Sequence, residues 1–195
     1  MGHLERRNRD REAVRQAIMQ AAREIASKDG WPAVTIRKIA KKIEYTPPIV
    51  YEHFDSKVDL IHELARLGFG VMKSEMDDIM KSNPSPKKFL KAHALVLWDF
   101  AKANPDLYHI MFKDETIREM TPTPEMEESV KLMKDSFLAL ANGDRALAEE
   151  LLFHWICLTF GGISVTIQLP LPPRLRASSP RDLYFRVVER FLESL

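Results

Sequence analysis

The sequence predicts an all-α protein in two parts, a small N-terminal three-helix head and a larger helical body. Three observations carry that expectation. No segment alternates apolar and polar residues for long enough to make a strand. Residues Thr35 to Lys57 encode two short helices joined by a tight turn and followed at once by a third helix start. Capping residues stand directly before proline at Thr46-Pro47, Ser85-Pro86, Asn104-Pro105, Thr123-Pro124 and Ser179-Pro180. Each pair marks a helix start, because proline lacks the NH that would go unpaired at the first helical position. With Asn142-Gly143-Asp144 as a further break, helices are expected near 10–28, 36–43, 47–53, 57–80, 86–103, 105–112, 124–141, 144–168 and 180–194. The expected division is 1–56 for the head and 57–195 for the body, with the helix from Ser56 to Met80 bridging them. No internal repeat or low-complexity linker interrupts the chain.

Within the head, spacing decides the roles. Thr35 suits the cap of a helix whose apolar side is Ile36, Ile39, Ala40 and Ile43, leaving Arg37, Lys38, Lys41 and Lys42 on the other faces. Thr46 and Pro47 open the next helix. Only Glu44, Tyr45 and Thr46 lie between the two, so the helices must cross steeply. In the second, Val50 and Phe54 sit four apart and face inward, leaving Pro48, Ile49, Glu52 and His53 outward. Ser56, Lys57, Val58 and Asp59 then fit a capping box, opening a long helix whose positive N-terminal dipole and Lys57 both suit a phosphate.

These residues resemble the DNA-binding domain of the TetR family of bacterial transcriptional regulators. The match rests on Thr35, Ile36, Ile39, Ala40, Thr46, Tyr51, His53, Phe54 and Lys57, and in the first helix on Ile18, Ala21, Ala22, Ile25, Gly30 and Trp31. There are departures. The family usually carries glycine in the turn where this chain has Glu44, a position that favours positive φ. Pro48 after Pro47 also removes a second NH from the first turn of the reading helix. The resemblance implies double-stranded DNA with a palindromic operator as a partner. Pro48, Ile49 and His53 would then approach base edges, Ile49 being suited to a thymine methyl, while Thr35, Thr46, Tyr51 and Lys57 would bind phosphates. Arg37, Lys38 and Lys42 suit a solvated face, and Phe54 a core position.

Charge agrees with a chain that touches DNA with one part only. Lysine plus arginine is 29 against 28 acidic residues, but residues 1–53 carry 11 basic and 7 acidic side chains and the remainder 18 and 21. The basic excess sits with the motif. A single cysteine, Cys157, rules out an intramolecular disulfide and fits a reducing, cytoplasmic setting. Met1 to Arg11 is charged rather than apolar, unlike a secretory signal.

The body carries large adaptable side chains. In the family the body holds an inducer pocket, and by resemblance Met72, Met76, Phe100, Tyr108, Met111, Phe112, Met133, Phe137, Trp155 and Phe160 would line it. Read on their own, methionines and aromatics at helical spacing equally well fill a core. His93, Asn104, Tyr108, His109, His154 and Thr159 are the few polar candidates, so a mainly apolar or aromatic small-molecule ligand is expected.

Leu151 to Pro173 contains no charge and is long enough to span a membrane. His154, Thr159, Ser164, Thr166 and Gln168 recur through it, Pro170, Pro172 and Pro173 end it, and Arg174 and Arg176 follow, so no membrane partner is expected. A helix apolar on all sides is instead buried on all sides, one face on its own core and one on a second subunit. The resemblance implies a homodimer through the last two long helices, here about 144–168 and 180–194, the latter with Leu183, Val187, Val188, Phe191 and Leu192 on its apolar side. Gly161-Gly162 either lets backbones approach there or loosens the helix beside the pocket. The alternative is a membrane-associated or protein-interaction sensor that uses the uncharged run.

Enzymatic chemistry finds no constellation. Asp55, Asp59, His62 and Glu63 are metal-capable but lack a second cluster, and Asp59 already suits capping. Cys157 in an apolar run is expected to be a small buried hydrophobe. No cofactor or metal is expected.

Overall fold

The computed structural model describes residues 3–170, 173–175 and 179–195. Pro172 and Arg176, set by the sequence near the end of the uncharged run, lie outside the described residues. Among the described residues every regular element is helical: α1 His3–Asp29, α2 Ile36–Lys42, α3 Pro47–Tyr51, α4 Lys57–Met80, α5 Pro86–Ala103, α6 Pro105–Phe112, α7 Pro124–Leu140, α8 Arg145–Ile163 and α9 Pro180–Glu193. Short 3-10 turns lie at Trp31–Ala33, Glu115–Glu119 and Pro173–Leu175, and α8 runs on into a π-helical turn, Ser164–Gln168. The starts at proline appear where the cap-proline pairs place them. α1 differs, beginning well before residue 10, because its first turns are stabilised as an extension of a helix already anchored downstream.

Not every capping residue caps. The Thr123 and Ser179 hydroxyls accept from the backbone NH of Met126 and Asp182. Thr46 does not. Pro48 leaves no NH at the second helical position, and the NH of Ile49 goes to the Thr46 carbonyl at 3.1 Å. Asn104 instead accepts from Arg23 Nη2 at 3.1 Å. The capping box at α4 is shifted by one residue: Ser56 Oγ accepts from the Asp59 NH, whereas the Asp59 carboxylate accepts from the NH of Asp55 rather than Ser56.

The chain forms two compact units, residues 1–68 with 104–121, and residues 69–103 with 122–195. In the first, Ile18, Ala22, Ile39, Ala40, Val50, Phe54, Leu60 and Leu64 are buried from α1 to α4. α6 belongs to the same unit. The Arg23 Nε and Nη2 groups donate to the Asp106 carboxylate at 2.6 and 3.3 Å, and Trp31 Nε1 donates to the Asp106 carbonyl at 2.9 Å. His62 Nε2 lies 2.9 Å from the Thr116 carbonyl oxygen.

In the second unit α5 is the central element, packing on α7, α8 and α9. It buries Phe89, Leu90, His93, Ala94, Val96, Leu97, Trp98, Phe100 and Ala101. α8 contributes one narrow stripe, Ala148, Trp155, Thr159 and Ile163, and α9 contributes Tyr184, Val188 and Leu192. The glycine pair has an internal use. A Cβ on Gly162 would lie 2.8 Å from Tyr184 Cδ2, whereas one on Gly161 would meet nothing within 4 Å. Thr166 Oγ1 donates to the Gly162 carbonyl and accepts from Trp98 Nε1, pinning the π-helical turn to α5.

Cys157 is exposed, contrary to the expectation of a buried thiol. Two residues beyond the buried Trp155, it is turned about 200° away around the helix.

Glu44 has φ 61°, and its neighbour Tyr45 donates to the Ala40 carbonyl across the end of α2, a Schellman closure with glutamate at the left-handed position. Replacing Glu44 with glycine should raise the unfolding free energy by about 0.5–1 kcal/mol, read from urea denaturation. Gly162→Ala should lower it by about 1–3 kcal/mol through collision with Tyr184, while Gly161→Ala leaves it unchanged or higher. Burial lowers the His93 pKa from 6.5 to about 4. As pH falls, the unfolded chain therefore takes up a proton first, and about 3 kcal/mol of stability is lost between pH 6.5 and 4. His93→Leu should remove that share of the acid slope relative to the unsubstituted protein.

Candidate nucleic-acid interface

α2 and α3, joined by the four residues 43–46, pack against one another. Thr35 caps α2, its hydroxyl accepting from the Lys38 NH at 3.2 Å and keeping its own proton to donate outward. Lys41 and Lys42 occupy the last turn of α2, and Lys42 pairs with Glu24 of α1 at 2.8 Å. In α3, Val50 and then Phe54 just beyond its end turn inward and are buried, as their spacing requires.

The other side of α3 is open. Thr46, Pro48 and Glu52 are exposed and Ile49 is half-buried, while Tyr51 is 54% exposed and so is not a core aromatic. The Thr46 hydroxyl makes no cap bond, which leaves it available beside the two prolines. An isoleucine flanked by prolines and a free-standing phenol is a surface suited to apolar and van der Waals contact with base edges and a hydrogen bond to a backbone oxygen.

His53 and Lys57 are held more tightly. Arg15 of α1 donates from Nη1 to the His53 carbonyl at 3.1 Å, lies over the Phe54 ring at 4.4 Å and pairs with Glu63 of α4 at 3.1 Å. One guanidinium thus ties the end of α3 to α1 and α4. Burial, and then the nearby Arg11 charge, hold the His53 imidazole below its ordinary pKa. Lys57 Nζ donates to the Trp31 carbonyl at 3.0 Å, so its ammonium joins the start of α4 to the turn after α1. The Trp31 carbonyl leaves no mark in the sequence, and Arg15 is legible only by its place on α1. The available signal was Arg15 itself, a charge on the α1 face that is apolar from Ile18 onward.

The residues proposed from resemblance to line a ligand pocket divide between the two units. Tyr108, Met111 and Phe112 lie in the first, where the Tyr108 and Phe112 rings are 5.2 Å apart and burial raises the Tyr108 pKa to about 12. Met72, Met76, Phe100, Met133, Phe137, Trp155 and Phe160 lie in the second. Phe100, Phe137 and Trp155 are fully buried, with Phe137 and Trp155 edge to face at 6.0 Å. Met76, Met133 and Phe160 are half-buried. Of the polar candidates, Thr159 donates to the Trp155 carbonyl, and His109 and His154 are exposed.

Three of the four metal-capable side chains around the start of α4 are engaged in protein contacts. Asp59 caps, His62 meets Thr116, and Glu63 pairs with Arg15 and Arg66. Among the described residues no group of three or more metal-capable side chains converges.

Comparison with known proteins bears on the head most directly. Residues 18–64 match the pattern of the bacterial regulatory proteins, tetR family. The chain is 33% identical over 96 residues to the uncharacterized HTH-type transcriptional regulator YobS of Bacillus subtilis, covering 49% of each chain. It is 22% identical over 137 residues to the HTH-type transcriptional activator FasR of Mycolicibacterium smegmatis, covering 70% of this chain and 63% of that one. It is 27% identical over 131 residues to the HTH-type transcriptional repressor KstR of Mycobacterium tuberculosis, covering 67% and 60%. The chain thus spans between about half and two thirds of these relatives' lengths. A bacterial regulatory protein of the tetR family from Rhodococcus RHA1 shares the fold over 92% of this chain and 95% of its own, with TM-score 0.67 and 20% identity. The head, residues 18–64, thus belongs with the bacterial regulatory proteins of the tetR family, and the whole chain shares the all-helical fold of one solved member.

Proposed function

We propose that the protein is a dimeric, ligand-responsive transcriptional repressor, released from a palindromic DNA operator when a small, mainly apolar or aromatic ligand binds its helical body. The observation that carries this reading is the open face of α3, with Pro48, Ile49 and Tyr51 outward over a fully buried Val50 and Phe54. Residues 1–56 serve as the DNA-binding domain and 57–195 as the ligand-binding and dimerisation domain. Pro48, Ile49 and His53 read bases; Thr35, Thr46, Tyr51 and Lys57 hold phosphates. The repressor sense follows KstR, and the site of action is the cytoplasm.

The dimer is supported by α8. Its stretch Arg145–Ile167 is long and apolar enough to cross a membrane, and only 17% of its apolar window is buried. Phe153 is 64% exposed and Ile156 43%, with Val187 of α9 at 49%. Phe153, Cys157 and Gly161 follow one another at four-residue spacing on the side away from the Trp155 stripe. A second copy of the same face covers such a surface, and a two-fold pair presents two α3 helices to two half-sites.

The ligand reading is supported by two buried polar atoms of the second unit, His93 Nδ1 and Trp155 Nε1, which have no hydrogen-bond partner among the described residues. Each leaves about 1–3 kcal/mol of desolvation unrecovered, which a ligand's complementary group would return. Half-buried Met76, Met133 and Phe160 supply adaptable walls.

Selection from random duplexes should enrich a palindrome. Ile49→Ala should then relax base preference, whereas Tyr51→Ala should weaken all duplexes alike by about tenfold near 0.1 M salt. Phe153→Asp should yield a monomer by sedimentation that no longer prefers the palindrome over a single half-site. Failure to enrich any palindromic site, or a Phe153→Asp protein that stays dimeric, would refute the corresponding part.

A further inference from the structure

We propose that the first turns of α1 form a second DNA contact, an arginine ridge that seats a backbone phosphate of the duplex flanking the half-site. This rests on the DNA-binding reading above and extends its footprint.

The ridge follows from the register of one helix face. Arg7, Arg11, Arg15, Ile18, Ala22 and Ile25 succeed one another at steps of four and three, the spacing of a single helical stripe. From Ile18 onward the stripe is core, with Ile18 and Ala22 fully buried and Ile25 nearly so. Before Ile18 the same stripe is arginine. α1 reaches back to His3, fifteen residues before the family match begins at residue 18. The side that anchors the helix to the head therefore continues past the core as a row of guanidinium groups.

That row meets the end of the reading helix. Asn8, Arg11, Glu12 and Arg15 of α1 and His53 line one concavity of about 270 Å³. Arg15 is already fixed in it by the His53 carbonyl, Glu63 and the Phe54 ring. Arg7 and Arg11 are exposed, and Arg11 is near enough to bear on the His53 imidazole. The only carboxylate in the lining is Glu12, whose Oε1 accepts from Gln16 Nε2 at 2.7 Å. Asp10, three residues after Arg7, is its neighbour on the helix but lies about 100° from Arg11.

The occupant is a DNA phosphodiester. The concavity is polar and open, its arginines offer planar donors matched to phosphate oxygens, and it is continuous through His53 with the face of α3. An extended duplex lying on α3 carries its backbone past the flanking base pairs, where a single anion in a fixed position meets Arg11 and Asn8. Such a contact adds affinity without adding base preference.

The test uses the full chain and its selected operator, in a long duplex and in one trimmed to the bases that selection specifies. Arg7→Ala with Arg11→Ala should bind the long duplex roughly tenfold more weakly at 0.1 M salt and lower the salt slope by about one, the worth of one lost phosphate contact there. The selected bases should stay the same, and Arg7→Lys with Arg11→Lys should recover most of the loss. Trimming should weaken the unsubstituted protein and leave the alanine variant unchanged. Equal salt slopes, or a variant that alters base preference, would overturn the ridge while Tyr51→Ala still reports on α3. Competition by inorganic phosphate that acts alike on both duplexes would show a free-anion seat and overturn it as well. An unsubstituted protein that binds no duplex overturns the DNA reading and the ridge together.

Discussion

The head depends on Asp106. Its carboxylate, with a side chain only 6% exposed, takes the guanidinium of Arg23, and its carbonyl takes the indole NH of Trp31. The Trp31 carbonyl in turn accepts from Lys57. Through this relay one residue of α6 ties together α1, the turn that precedes α2, and the start of α4. A carboxylate so far from water must be matched by a fixed donor, and the two-pronged guanidinium fork supplies one with defined orientation. The angle at which α2 leaves α1 is set by that turn. The presentation of α3 follows from it, so the recognition surface is positioned by a residue remote from it in sequence.

What the sequence made legible was local. Proline beside a capping residue marks helix starts through covalent geometry, and the starts at Pro47, Pro86, Pro105, Pro124 and Pro180 all appear. The inward pair Val50 and Phe54 was equally readable, since burial on a short helix is decided by spacing. Long-range pairing was not. Asn104 reads as a cap, yet its side chain answers Arg23, a residue 81 positions away, and no local pattern announces such a bond. Thr46 fails as a side-chain cap because the Ile49 NH, the donor at the position such caps serve elsewhere in this chain, turns to the Thr46 carbonyl, and Pro48 offers no second one. Cys157 shows the limit of reading a uniformly apolar run. Periodicity is invisible when every position is apolar, so the inward stripe appears only when Trp155 is seen to be the anchor.

α8 therefore has two characters. Toward its own unit it is a core helix, locked by the contact of Tyr184 with Gly162 and by the Thr159 hydroxyl on the Trp155 carbonyl. On the other side it presents Phe153 and Ile156 to solvent. The exposed ion pairs that brace α9 to α5, Arg181 with Asp99 and Lys91 with Glu189, add orientation more than stability, because water screens them. The apolar contacts carry most of the packing between these helices.

The two prolines of α3 also have a kinetic consequence. A helix of five residues is far too short to hold its shape by hydrogen bonds alone, since forming the first turn immobilises several torsions for a single bond. Pro47 and Pro48 have those φ angles set by their rings before folding begins, so much of the nucleation cost is met in the covalent chain. The encounter with a binding partner is then not gated by winding of the helix. The helix can dock as a preformed body at the rate at which it arrives.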